Sequence, residues 1–183
     1  MKFIETSIPD PIQVFPDLFI DERGVFFEAY NEKEFEKNNL PIKFVQDNQS
    51  FSYKGVLRGL HFQVLPFEQG KLVSVSKGKV LDVAVDLRKN SSTFGKYEMV
   101  ELTSEKRNML YIPEGFAHGF IALEDSVLGY KCTHFYNKPY ESGIIWNDQD
   151  LNINWGTTNP ILSEKDKNLK TIKDHITFIN KNT

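Results

Sequence analysis

Short apolar runs, separated by too few residues for a helix to cross between them, constrain the fold of this chain most. The clearest is Val80-Leu81-Asp82-Val83-Ala84-Val85-Asp86-Leu87, rich in β-branched side chains and preceded by the turn-forming pair Lys77-Gly78. Similar runs cover 24–30, 43–52, 72–76, 97–102, 109–112, 119–123 and 127–135, broken by clusters of Gly, Pro, Asn and Asp. Parallel strands need a crossover of about a dozen residues or more, usually helical. The gaps here do not supply one. A mainly β fold, sandwich or barrel, is therefore predicted.

Two segments carry a helical signal. Asn31 is predicted to cap a helix over 32–39, whose early acids suit the positive end of the dipole. Over 166–180, Leu169, Ile172, Ile176 and Ile179 recur at spacings of three and four, an amphipathic pattern. The polar tail 181–183 is expected to fray. With no repeat, low-complexity stretch or linker, residues 1–183 form one domain, long enough to bury a core without staples.

Composition removes several function classes. A net charge of -3 argues against general nucleic-acid binding, which wants a concentrated basic surface. No apolar stretch is long enough to span a bilayer, and Met1-Lys2-Phe3-Ile4-Glu5 opens no apolar leader. The single cysteine, Cys132, permits no intrachain disulfide and fits a reducing compartment. A cytoplasmic protein without membrane or nucleic-acid partners is expected.

Chemistry concentrates around His61, in Leu57-Arg58-Gly59-Leu60-His61-Phe62-Gln63. A lone histidine is more often a hydrogen-bonded structural residue. Here Arg58 precedes it, Gln63 shares its strand face, and Lys71 follows after a short loop, so a small cationic pocket is predicted. A metal site needs a better ligand set. Metal-binding cupin barrels use a His-x-His pair, whereas this chain reads His61-Phe62-Gln63. His118, in Pro113-Glu114-Gly115-Phe116-Ala117-His118, fits only the distant ligand position, and the chain has 4 histidines in all. A mixed site with Glu68 stays behind chemistry without metal.

Other candidates have bland alternatives. Tyr130 is either a core or rim residue or an acid facing His61. Asp166 is either a helix N-terminal acid or a carboxylate that fixes the His61 tautomer. Asp21-Glu22-Arg23-Gly24 reads as a turn, Gln46-Asp47-Asn48 as a polar strand end, and Cys132 as structural.

Taken together, the segments 21–28 (DERGVFFE), 44–50 (FVQDNQS), 55–63 (GVLRGLHFQ), 69–73 (QGKLV), 82–88 (DVAVDLR), 92–96 (STFGK), 112–120 (IPEGFAHGF), 143–148 (GIIWND) and 162–166 (LSEKD) resemble the dTDP-4-dehydrorhamnose 3,5-epimerase family. They follow family order along nearly the whole chain. The resemblance implies a cupin-like jelly-roll barrel with a few short helices, working without metal or cofactor and normally as a homodimer. It implies a dTDP-linked 4-keto-6-deoxyhexose as substrate, inverted at C3 and C5 to dTDP-4-dehydro-L-rhamnose for surface polysaccharide. By motif, His61 resembles the base, Asp166 its partner, Tyr130 the acid on the opposite ring face, and Lys71 the stabiliser of the enolate oxygen. The same carry-over assigns Arg23, Glu28, Gln46, Asp47, Asn48, Arg58, Lys71, His118, Glu141 and Lys165 to the nucleotide-sugar. Phe26 and Tyr136 are candidates to stack on thymine. The N-terminal strand segment is expected to exchange with the dimer partner, so that Arg23 and Glu28 act in trans. The family pattern is departed from at Gly129 and in a shorter loop over 138–142. Competing readings are a C3-only or C5-only epimerase and a metal-dependent cupin enzyme.

Overall fold

The architecture was taken from a computed structural model, which describes the backbone of residues 1–182 and the side chains of residues 1–177. In chain order the strands are β1 (Lys2–Glu5), β2 (Ile12–Phe15), β3 (Phe19–Asp21), β4 (Gly24–Phe26), β5 (Gln46–Ser52), β6 (Leu57–Gln63) and β7 (Lys71–Lys77). There follow β8 (Lys79–Asp86), β9 (Tyr97–Thr103), β10 (Met109–Ile112), β11 (Phe116–Ala122), β12 (Ser126–Cys132) and β13 (Glu141–Gly143). Helix α1 (Glu32–Lys37) lies between β4 and β5, while α2 (Glu164–Lys167) and α3 (Ile172–Asn182) close the chain.

Two antiparallel sheets form the barrel, in the orders β1-β2-β10-β7-β12-β5 and β13-β6-β11-β8-β9. From β5 to β12 the chain passes between them at every connection but one, the β8–β9 hairpin, in the jelly-roll fashion of the cupin-like expectation. Strand β8 pairs on both edges, with β11 and β9. Its side chains alternate between two apolar layers. Val80 and Ala84 join Val73, Val100, Leu110, Phe120 and Leu128 in the core between the sheets. Val83 and Val85 point the other way, against Leu57, Ile144, Leu151, Trp155 and Ile172 of the C-terminal arm. Burial on both faces explains why 80–87 reads as an almost unbroken apolar run. A third layer, with Phe35 of α1 on Val14, Leu72, Met109 and Tyr111, covers the outside of the six-stranded sheet.

The predicted helix over 32–39 forms as α1, and the Asn31 side chain accepts from the N–H groups of Lys33 and Glu34. The helix predicted over 166–180 is corrected to two. Ser163 caps α2 and Asn168 ends it. The chain then runs straight enough for Lys170 to bridge to Ile144 and for its carbonyl to accept from Ile145 N–H. Thr171 and Asp174 exchange side-chain-to-backbone hydrogen bonds at the start of α3, a capping box that restarts the helix. Asp148 ties this start to the arm by accepting from Ile172 N–H at 2.8 Å and Leu151 N–H at 3.0 Å. The tail expected to fray is helical to Asn182, and Thr183 and the Ile179 side chain lie outside the described residues. Several strands are shorter than predicted: 24–30 contributes only β4, and 127–135 ends at Cys132. Among the described residues no helix is long and apolar enough to cross a membrane.

Candidate active site

Glycines set the geometry of the site before any reactive group does. Where β6 pairs with β11, a Cβ on Gly59 would lie 2.6 Å from the Gly119 Cα and 2.7 Å from the His118 carbonyl oxygen. Gly59 also sits at φ +111°, which other residues rarely adopt. A Cβ on Gly119 would in turn lie 2.8 Å from the Arg58 carbonyl. This close approach, with a bulge between His118 and Phe120, brings His118 directly opposite His61 in the ladder.

Both histidines line a cavity of about 340 Å³ between the sheets, together with Arg58, Lys71, Tyr130, Tyr136, Glu141, Lys165 and Asp166. His61 Nε2 meets Asp166 Oδ1 at 2.5 Å, and Asp166 is almost wholly buried at the first turn of α2. Burial alone would raise the Asp166 carboxyl. The hydrogen bond and charge of His61, with help from Ser163 and Lys165, outweigh it and hold the group below its usual range. A carboxylate only accepts hydrogen bonds, so His61 Nε2 carries the proton and Nδ1 is left with a lone pair. Both roles weighed for Asp166, helix N-terminal acid and histidine partner, are therefore combined in one residue.

Tyr130 projects from the opposite sheet, so the cavity has an ionisable group on each wall. Burial pushes its phenol up, which keeps the O–H intact. Lys71 Nζ stands 5.7 Å from the Tyr130 ring centroid and donates a long hydrogen bond, 3.4 Å, to the His61 carbonyl. Burial pushes the Lys71 ammonium down, partly offset by Cys132, Asp82 and Glu141. At the mouth, Arg58 is tethered through Nε to Ser52 Oγ at 3.0 Å and through Nη2 to the Phe51 carbonyl at 3.1 Å. Across from it Lys165 pairs with Glu141 at 2.5 Å, and Glu141 also accepts from the Tyr136 hydroxyl at 3.0 Å. Two cations at the rim, held but still exposed, are fit to receive an anion.

Arg58, His61 and Lys71, predicted to make a small cationic pocket, line one cavity. Gln63 serves as a strut, donating to the Phe67 and Phe135 carbonyls and accepting from Asn137 N–H. Other assigned residues do not line the cavity. Asp47 and Asn48 lie along a separate groove, Asp47 paired with Lys131 and Asn48 donating to Cys132 Sγ. Gln46 accepts from Tyr136 N–H and so steadies the rim. Arg23 and Phe26 belong to the β3–β4 hairpin, whose 21–24 segment is the predicted turn, and Glu28 accepts from Asn31.

Asp82 was missed by the motif reading. It has no solvent exposure, and its Oδ2 accepts from His118 Nε2 at 2.9 Å while Oδ1 has no hydrogen-bond partner among the described residues. Leaving such an oxygen unpaired costs on the order of 1–3 kcal/mol. The available signal was a charged residue inside an otherwise apolar run. Ser50, with a buried hydroxyl lacking a partner, Gln69 and Ser163 also line the cavity unannounced. No group of three or more His, Cys, Asp or Glu side chains able to hold a metal ion occurs among the described residues.

Ionisable groups on both walls of a jelly-roll cavity suit the class of cupin-like isomerases. Known proteins narrow that class. The family model described as dTDP-4-dehydrorhamnose 3,5-epimerase matches residues 5–174, and the chain belongs to that family. It is 51% identical over 181 residues to the dTDP-4-dehydrorhamnose 3,5-epimerase of Shigella flexneri, covering 98% of this chain and 100% of the relative. The crystal structure of the Elizabethkingia anophelis NUHP1 enzyme of that name superposes with a TM-score of 0.91 at 50% identity, covering 95% of this chain and 97% of the other. A Legionella pneumophila epimerase in complex with dTDP-4-keto-L-rhamnose gives a TM-score of 0.90 at 43% identity, covering 94% and 93%.

Proposed function

We infer that this chain is an isomerase that inverts C3 and C5 of dTDP-4-dehydro-6-deoxy-D-glucose, giving dTDP-4-dehydro-L-rhamnose in dTDP-rhamnose synthesis. The observation that carries the reading is the His61–Asp166 pair facing Tyr130 across one cavity. A C–H beside a ketone is a very weak acid, so its removal needs a placed base and charge stabilisation at the oxygen. His61 Nδ1 takes the proton, the C4 oxygen becomes an enolate oxyanion, and the Lys71 ammonium stabilises it. Charge that acts on the developing oxyanion lowers the barrier more than it tightens ground-state binding. Tyr130 then donates its phenolic proton to the opposite face of the same carbon. The resulting imidazolium and phenolate are reset by solvent, and the sequence repeats at the second carbon.

Substrate binding follows from the rim. Arg58 and Lys165 take the diphosphate, the guanidinium through paired hydrogen bonds. Glu141, His118, Gln46, Asp47 and Asn48 contact the nucleotide-sugar or shape its site, and Tyr136, about half exposed beside Glu141, offers a face to thymine. Arg23, Phe26 and Glu28 act from a second copy of the chain. Supporting this, Phe19, Ile20 and Phe26 of the hairpin are 62%, 77% and 68% exposed, an apolar surface that pairing of two copies would cover. The protein is a homodimer of the cytoplasm, a compartment supported by its single buried, free cysteine. It works without a metal or other cofactor.

The test is incubation with the ketosugar in deuterated water. Deuterium at both C3 and C5 is the expected result. Label at one carbon only makes the protein a mono-epimerase, and no label at either overturns the reading.

A further inference from the structure

The barrel interior holds a carboxylate that the proposed reaction does not use and that no cation neutralises by direct contact among the described residues. Asp82 lies in the middle of β8, between Val80 and Ala84 on the face turned to the core, with no solvent exposure. Its strand is paired on both sides, opposite Phe120 of β11 and Val100 of β9, so neither an edge nor a loop relieves it. Oδ2 accepts from His118 Nε2 at 2.9 Å, and Oδ1 has no hydrogen-bond partner among the described residues. A well-packed apolar side chain is often the more stable occupant of such a position. A buried polar group kept at that cost calls for a role at a site, and His118 lines the cavity.

We propose that Asp82 is a positioning residue: it holds His118 in the Nε2–H tautomer, so that Nδ1 meets the substrate as an acceptor for a sugar hydroxyl. This rests on the reading of the cavity as a ketosugar site. The argument is one of hydrogen-bond inventory. The carboxylate can only accept, so the proton must sit on Nε2. His118 stays neutral because burial opposes its charging, and Lys71 and His61 oppose it further, against the attraction of Asp82. Nδ1 therefore carries a lone pair that no hydrogen bond among the described residues occupies.

A lone pair at that point discriminates within the substrate. It accepts from a hydroxyl and repels a carbonyl oxygen, while the Lys71 ammonium attracts the carbonyl. His118 and Lys71 thus orient the ring from two sides, with the ketone toward Lys71 and a hydroxyl toward His118. The two cross-strand histidines then have separate duties. His61 moves a proton; His118 accepts one hydrogen bond and keeps the reacting carbon in place. The negative charge of Asp82 also favours the Lys71 ammonium.

Long-range proton–nitrogen correlation on the labelled full chain reads the His118 tautomer directly. The unmodified chain is expected to show Nε2–H. In Asp82→Asn the amide can donate, and a substantial Nδ1–H population is expected. In the deuterium-exchange assay Asp82→Asn should lose about tenfold or more in kcat, with dTDP affinity within about twofold. Asp82→Asn combined with His118→Gln should be no slower than His118→Gln alone, because the carboxylate acts through that ring. Asp82→Leu controls for folding: its Tm should be unchanged or higher while the activity is still lost. The proposal is overturned by an unaltered tautomer in Asp82→Asn, by near-normal kcat, or by losses that multiply in the double variant. If the unmodified chain labels neither carbon, the ketosugar reading fails instead, and the tautomer still tests the pairing.

Discussion

On the inner wall of the barrel Lys71, Asp82, His118 and Asp166 are 7%, 0%, 6% and 3% exposed, whereas Leu18, Phe19, Ile20, Val25 and Phe26 of the β3–β4 region are 37% to 77% exposed. Ionisable groups lie where burial is costly, and large apolar groups lie where water meets them. Each inversion implies a compensation that the isolated chain lacks. On the wall it is a polar substrate, and groups there are already tied to one another by His61–Asp166 and His118–Asp82. At the hairpin it is, on the proposed reading, the surface of a second copy, since the Arg23–Asp21 ion pair there is local and exposed. On the proposed reading, chemistry is preorganised within one chain while part of binding is left to assembly.

The sharpest way to break this comparison is at the wall. His61→Ala is expected to reduce exchange at C3 and C5 by about a thousandfold or more while dTDP still binds. Calorimetry with dTDP beside the exchange assay checks both halves; a variant that still turns over moves the base elsewhere. Tyr130→Phe should cost roughly a hundredfold in inversion. Proton removal by His61 remains possible in that variant, so deuterium should appear in recovered substrate of unchanged configuration. Nuclear magnetic resonance of the recovered sugar separates wash-in from inversion.

Backbone geometry beneath the wall gives the next effect. Gly59→Ala must accommodate a Cβ 2.6 Å from Gly119 Cα at a positive φ, and a loss of about 3 kcal/mol is expected from strain and overpacking together. Urea denaturation measures it. At the hairpin, Ile20→Asp with Phe26→Asp should leave kcat near normal, raise KM by about tenfold and shift dimer toward monomer. Sedimentation velocity and steady-state kinetics test this; loss of kcat with no change in mass would put the hairpin inside its own chain's chemistry.

The smallest effect is the pH dependence of stability. Burial lowers the folded-state pKa of His118, and that of His175, from 6.5. The unfolded chain then binds more protons as pH falls below 6.5, so this stability is present above that value and is lost progressively below it. Tm should drop by a few degrees on going from neutral pH to pH ~5, and by less in His175→Phe. The exposed Asp21–Arg23 pair should add nothing measurable to that curve.

How far the chain could be read in advance depended on whether one segment held its own explanation. Strand β8 was recognisable because both its faces are buried, and α1 because Asn31 supplies its own cap. Strands β1, β2 and β13 carry no clear alternation and exist because a neighbour pairs with them. The helix break near residue 170 was hidden for the same reason: the apolar spacing continues through it, and the interruption comes from Lys170 pairing with Ile144 and Ile145. His61, Lys71, Tyr130 and Asp166 stand in motifs, and the structure brings all of them to one cavity. Asp82 was passed over because a single acid in a strand has no meaning until His118 is seen above it.

Residue order alone was enough for the antiparallel β class, the lone histidine between Arg58 and Gln63, the missing second ligand of a metal pair, and membership of an epimerase family. These follow from local periodicity and from side-chain chemistry, which do not depend on where the chain goes next. Only the folded barrel decided that Asp166, 105 residues after His61, would meet its Nε2, that Tyr130 would face them from the other sheet, and that Asp82 would hold His118. Those distances come from the facing of the two sheets and from the close approach of neighbouring strands β6 and β11 at Gly59 and Gly119, which packing imposes and no stretch of sequence contains.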